Sequence, residues 1–201
     1  MKNKIFCILA SFLLIVTLSG CQNAKADNEN VKKAEPYGIH HAVITVENYG
    51  EIHLELDGDT APITVKNFVE LAKDGFYDGL TFHRIISGFM IQGGDPKADG
   101  TGGSKNEIIG EFESNGYENN IKHERGVISM ARANDPDSAS SQFFIMHRTA
   151  THLDGDYAAF GKVTEGMTVV DKIASEAVVT DNNGTVPKEN QPVIKSINII
   201  D

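Results

Sequence analysis

The chain has 201 residues, 40% of them hydrophobic and 23% charged, which suits one ordinary globular domain and leaves no room for several membrane spans. Its formal charge of -10 argues against a phosphate backbone as partner, so no nucleic acid is expected. Only two cysteines are present, Cys7 and Cys21, both near the N-terminus, so the rest of the chain has neither a disulfide framework nor a cysteine metal cluster.

Met1–Lys4 is a short cationic start, and Ile5–Leu18 is an apolar run too short to span a bilayer comfortably, the pattern of an export signal. The run ends in Leu18-Ser19-Gly20-Cys21, which resembles the lipobox of bacterial lipoproteins. That resemblance implies removal of residues 1–20 as a lipoprotein signal peptide, acylation of Cys21 (palmitate included), and a lipid anchor to the bacterial cell membrane outside the cytoplasm. Residues 21–38 are then the lipidated cysteine and a polar tether rich in Asn, Lys, Ala and Glu. Such a tether spans roughly 20 Å as a coil and at most about 50 Å when extended. Residues 39–201 form the folded domain.

In chain order, His41–Glu47 and Glu51–Leu56 alternate apolar and polar residues around the turn signal Asn48-Tyr49-Gly50, which predicts a β-hairpin. Val43 and Thr45 share one face of its first strand; Ile52, Leu54 and Leu56 share one face of the second. Asp59-Thr60-Ala61-Pro62 predicts a helix start with a capping side chain and proline in the first turn. Val65, Phe68, Val69 and Ala72 then supply one buried helical face, and Gly75 a C-terminal stop. Short β-prone runs follow at Leu80–Ile86, Phe89–Gly93, Gly126–Met130, Gln142–Met146 and Ala158–Val163, with a second helix at Met167–Ala177 and a last strand at Val193–Ile200. Many strands with two isolated helices predict a mainly β domain, a closed antiparallel barrel capped by helices.

The chemistry concentrates in Phe82-His83-Arg84-Ile85-Ile86-Ser87-Gly88-Phe89-Met90-Ile91-Gln92-Gly93-Gly94-Asp95. Period-2 alternation puts Phe82, Arg84 and Ile86 on one face, and Met90 with Gln92 on one face after the Ser87-Gly88 break. A cation, an amide and large apolar groups can therefore meet in one cleft, a set suited to a reaction without nucleophile or leaving group.

This segment resembles the signature of the cyclophilin family of peptidyl-prolyl isomerases. The resemblance continues through Gly126–Ala131, Ser141–Ile145, His152–Gly155 and Phe160–Val163, and covers about residues 39–201. It implies a closed eight-stranded antiparallel β-barrel capped by two α-helices, and cis–trans isomerisation of the bond before proline. That bond has a barrier near 20 kcal/mol and turns over in tens to hundreds of seconds unaided. Millisecond turnover therefore needs about 7 kcal/mol of transition-state stabilisation. A donor aimed at the twisted amide contributes to it by stabilising the twisted state more than either planar state, and Arg84 matches the family's catalytic arginine.

By the same resemblance Gln92 holds the substrate carbonyl and orients Arg84, and Phe89, Met90, Phe144 and Leu153 wall the proline pocket. Phe89 counts with Arg84 and Gln92 as part of the catalytic set. Backbone around Ala131 and Arg132 grips the extended peptide, and His83 supports the site without acting as a base. His152 stands where many eukaryotic relatives carry a tryptophan, Tyr157 where they carry a histidine, and Arg132 where the family has an asparagine. The missing indole donor means that the resemblance does not extend to tight cyclosporin binding.

No metal is expected, because His40 and His41 are adjacent and His123, His147 and His152 lack ligand spacing; no cofactor is expected either. The glycines of 93–103 are not followed by Lys-Ser/Thr at phosphate-loop spacing, and no G-x-S-x-G elbow occurs. The expected partners are proline-bearing segments of unfolded or exported proteins, met by a monomer. A module that only binds such segments, as a chaperone or adhesion protein, is the alternative.

Overall fold

The computed structural model describes residues 34–201; the signal segment, Cys21 and most of the tether lie outside the described residues. The predicted hairpin forms from β1 (Ile39–Val46) and β2 (Gly50–Asp57). Its register sets Ala42 opposite Leu54 and Ile44 opposite Ile52. Opposed residues share a face, so the core side of β1 carries Ala42, Ile44 and Val46, and Val43 with Thr45 take the other side.

Helix α1 (Pro62–Lys73) buries Val65, Phe68, Val69 and Ala72 as its spacing predicts. The expected local cap is absent: Ala61 occupies the N-cap and makes no side-chain bond. Glu111, far along the chain, accepts instead from the amides of Ile63 (3.1 Å) and Thr64 (2.8 Å) and from the Thr64 hydroxyl (2.8 Å). A buried carboxylate thus satisfies the helix's orphan donors and meets the positive end of its dipole. Burial pushes the Glu111 carboxyl above the usual carboxylate range. At the other end the Gly75 amide bonds the Ala72 carbonyl and the Phe76 amide the Leu71 carbonyl, with Gly75 at φ 69°.

Strands β3 (Phe82–Ile86), β4 (Met90–Gly93), β5 (Val127–Met130), β6 (Phe143–Met146), β7 (Ala159–Glu165) and β8 (Ile194–Ile199) complete one antiparallel sheet in the order β3-β4-β6-β5-β7-β2-β1-β8. The sheet curls into a half-barrel and does not close. Edge strands β3 and β8 form no ladder; an isolated Thr81–Val193 bridge and neighbouring backbone bonds link the two edges. Helix α2 (Met167–Glu176) turns Val170, Ile173 and Ala174 inward.

Strand β6 is apolar on both faces, and so is β4 except at Gln92. Ile91, Phe143 and Ile145 enter the main core, where Phe68 packs against Tyr77, Phe143 and Phe160 at centroid distances of 5.2–5.6 Å. Met90, Phe144 and Met146 point the other way into a smaller cluster with Leu153 and Ala159. That second cluster is the floor of the site.

Candidate active site

Arg84 reaches the second face through a register shift. Phe82 pairs with Gly93 and Arg84 with Gln92, so His83 is an extra residue in β3. The strict alternation that would keep Phe82 beside Arg84 is therefore broken: Phe82 is in the main core with Ile85, and Arg84 lines a cleft.

The cleft has a volume of about 480 Å³. Arg84 spends three hydrogen bonds on its position: Nη1 donates to Gln92 Oε1 at 3.1 Å, Nε to the Asn183 carbonyl at 2.9 Å, and Nη2 to Asn183 Oδ1 at 3.1 Å. Partial burial lowers its pKa, and it remains a cation. Gln92 is held in turn, donating to Gln142 Oε1 at 2.8 Å, and Gln142 donates to the carbonyls of Gly102 (2.7 Å) and Gly100 (3.1 Å). This relay fixes the Gln92 amide with its oxygen toward the guanidinium.

Asn183 sits in a loop stitched to the outer edge of β3, with Ile85 and Val186 amides donating to the carbonyls of Gly184 and His83. Asp181 braces that loop by accepting from the amides of Asn183 (2.9 Å) and Thr185 (3.1 Å) and from the Thr185 hydroxyl (2.8 Å). The bonds to Thr185 lead in holding the Asp181 carboxyl below the usual range. Sequence reasoning missed Asn183 and Gln142. The Asp181–Gly184 run signals a turn, but nothing local says which strand it meets.

The apolar end of the cleft is walled by Phe89, Met90, Phe144, Leu153 and Tyr157. Phe144 and Tyr157 meet edge to face at 5.9 Å and 82°. Behind Phe144, the buried His123 stacks at 6.0 Å, bonded to Asp154 Oδ1 and Ser129 Oγ, each at 3.0 Å. Burial lowers the His123 pKa although Asp154 opposes it, so a neutral ring backs the pocket.

Ala131 and Arg132 form the facing rim. The Arg132 guanidinium lies between the rings of Phe112 (5.1 Å) and Tyr157 (4.8 Å) and donates to the Asp156 carbonyl at 2.9 Å, which ties the Tyr157 loop to β5. His152 does not line the cleft; it is exposed and stacks on Phe89 at 5.8 Å. His83 lines the wall with only 4% exposure, and neither ring nitrogen has a protein hydrogen-bond partner. Burial lowers its pKa, with Asp95 opposing. Among the described residues, no serine or cysteine lines the cleft.

An apolar pocket beside a cationic donor fixed by Gln92 and Asn183 can hold a compact ring and direct a hydrogen bond at the amide next to it. Comparison with known proteins agrees. The family described as "Cyclophilin type peptidyl-prolyl cis-trans isomerase/CLD" matches residues 41–199. A peptidyl-prolyl cis-trans isomerase of Helicobacter pylori is 48% identical over 151 residues, covering 74% of this chain and 89% of that one. Peptidyl-prolyl cis-trans isomerase A of Dickeya dadantii is 39% identical over 202 residues, covering 96% and 97%. The crystal structure of a Cryptosporidium parvum cyclophilin type isomerase, solved in the presence of the dipeptide Ala-Pro, superposes with a TM-score of 0.71 at 32% identity, covering 80% of this chain and 99% of that one. The chain belongs to the cyclophilin-type peptidyl-prolyl cis-trans isomerase family.

Proposed function

We propose that Arg84 is the catalytic donor of this isomerase, Gln92 its positioner, and the Phe89, Met90, Phe144 and Leu153 wall the anchor for proline. The observation that carries this reading is the arginine's partial engagement. Three of its five N–H groups are fixed by Gln92 and Asn183, which leaves two for a substrate.

Twisting the prolyl bond breaks the C–N conjugation and localises a lone pair on nitrogen. A guanidinium already held in place interacts with that twisted state more strongly than with either planar state and needs no reorganisation to do so. With the ring anchored, the segment before proline rotates along Ala131 and Arg132, with His83 and Tyr157 shaping the walls and His152 backing Phe89 at the rim. No proton need be transferred.

We further propose that the substrates are proline-bearing segments of exported proteins, met outside the cytoplasm by an enzyme lipidated at Cys21. The Leu18–Cys21 lipobox supports this reading.

A protease-coupled prolyl-peptide assay tests the mechanism. Arg84→Ala is expected to lower kcat/KM by about 10²- to 10³-fold, the range for losing a fixed transition-state donor, with peptide binding retained. Activity surviving that change overturns the assignment. Wild-type protein that binds peptide without turnover points to the binding module instead.

A further inference from the structure

The turn joining β3 to β4 carries Phe89, and its geometry depends on a side chain outside the cleft. His147, just past β6, grips this turn at two points. Its backbone amide donates to the Phe89 carbonyl at 2.9 Å, and its ring Nδ1 lies 2.9 Å from the Gly88 amide. A backbone N–H can only donate, so Nδ1 is the bare, accepting nitrogen and the ring proton sits on Nε2. Nε2 faces Asp171 Oδ1 of α2 at 3.2 Å. Asp171 is held by Arg125, whose Nη1 and Nη2 lie 2.8 and 2.9 Å from its two carboxylate oxygens. Arg125 Nη1 also donates to the His147 carbonyl at 2.8 Å, which closes a ring of contacts from α2 to the turn.

We propose that His147 is a positioning residue for the isomerase reaction, its neutral Nε2–H form holding the Ser87–Phe89 turn so that the Phe89 ring stays against the proline pocket. This inference rests on the isomerase reading of the cleft.

The contact needs a bare Nδ1: a ring carrying its hydrogen there would meet the Gly88 N–H, and two donors cannot share that contact.

The test is kcat and KM for wild type, His147→Leu and His147→Asn, with melting curves for each. Asparagine offers an oxygen near the Nδ1 position that can accept from the Gly88 amide. His147→Leu should lose about tenfold in kcat/KM, chiefly through KM because a pocket wall is displaced. His147→Asn should recover most of that loss and stay within about threefold of wild type.

Wild-type kcat/KM in a folded His147→Leu overturns the proposal, as does a folded His147→Asn that is no faster than His147→Leu. A wild-type protein without turnover overturns the isomerase reading first, and this inference with it.

Discussion

Arg84 and Asn183 stand 99 positions apart in the chain, yet the arginine donates to Asn183 twice, to its backbone carbonyl at 2.9 Å and to its side-chain oxygen at 3.1 Å. Asn183→Ala removes only the second bond. A hydrogen bond to a charged group contributes about 1.5 kcal/mol, so a loss of about tenfold in kcat/KM is expected, with little change in melting temperature. A variant as fast as wild type shows that the Gln92 and carbonyl contacts suffice to aim Arg84.

The loop bearing Asn183 allows no side chain at the next residue. Gly184 has φ 81°, and a Cβ there lies 2.4 Å from the Ile85 carbonyl oxygen and 2.5 Å from Ile86 Cγ1. Gly184→Ala should push the loop off β3 and cost about 1–3 kcal/mol. Urea unfolding and the isomerase assay should both register the change. Unchanged stability argues that the loop rests on β3 without being held there.

Asp95 organises the loop that receives the Gln142 amide. Its carboxylate accepts from the amides of Lys97 (2.7 Å), Asp99 (3.1 Å) and Gly100 (2.6 Å). Burial acts to raise its pKa, but these donors outweigh it and hold the carboxyl below the usual range. A depressed folded-state pKa contributes stability that is present above the ordinary carboxylate pKa and is lost as pH falls through the folded value. Asp95→Asn should therefore lower stability by about 1–3 kcal/mol near neutrality, and the gap from wild type should narrow toward pH 3. Denaturant titrations at several pH values check this; a gap of constant size counts against the role.

The proposed lipid anchor makes membrane attachment depend on Cys21. Cys21→Ala should release the protein from the membrane fraction or leave an uncleaved precursor, read by fractionation and by mass spectrometry of the mature N-terminus. Attachment that persists unchanged removes the lipid anchor from the proposal.

The local elements were largely legible. Alternation around Asn48-Tyr49-Gly50 marks the β1–β2 hairpin, and the spacing of Val65, Phe68, Val69 and Ala72 marks the buried face of α1. Both patterns reflect side-chain directions fixed by the backbone's own period. The residues resembling the family signature, from Arg84 and Gln92 to Phe144 and Leu153, do converge on one cleft. Phe82 did not follow the pattern, because a single extra residue at His83 reverses which face it takes.

By itself, then, the sequence determined which segments are strands and helices, since these depend on neighbours a few residues away, and its resemblance to the family signature singled out Arg84, Phe89, Met90, Gln92, Phe144 and Leu153, which line the cleft. Tertiary structure alone decided that Glu111 caps α1, that the sheet stops at a half-barrel, and that Asn183 and Gln142 steady Arg84 and Gln92. Each of these joins groups tens of residues apart, and such meetings are set by strand order and register, which no local pattern encodes.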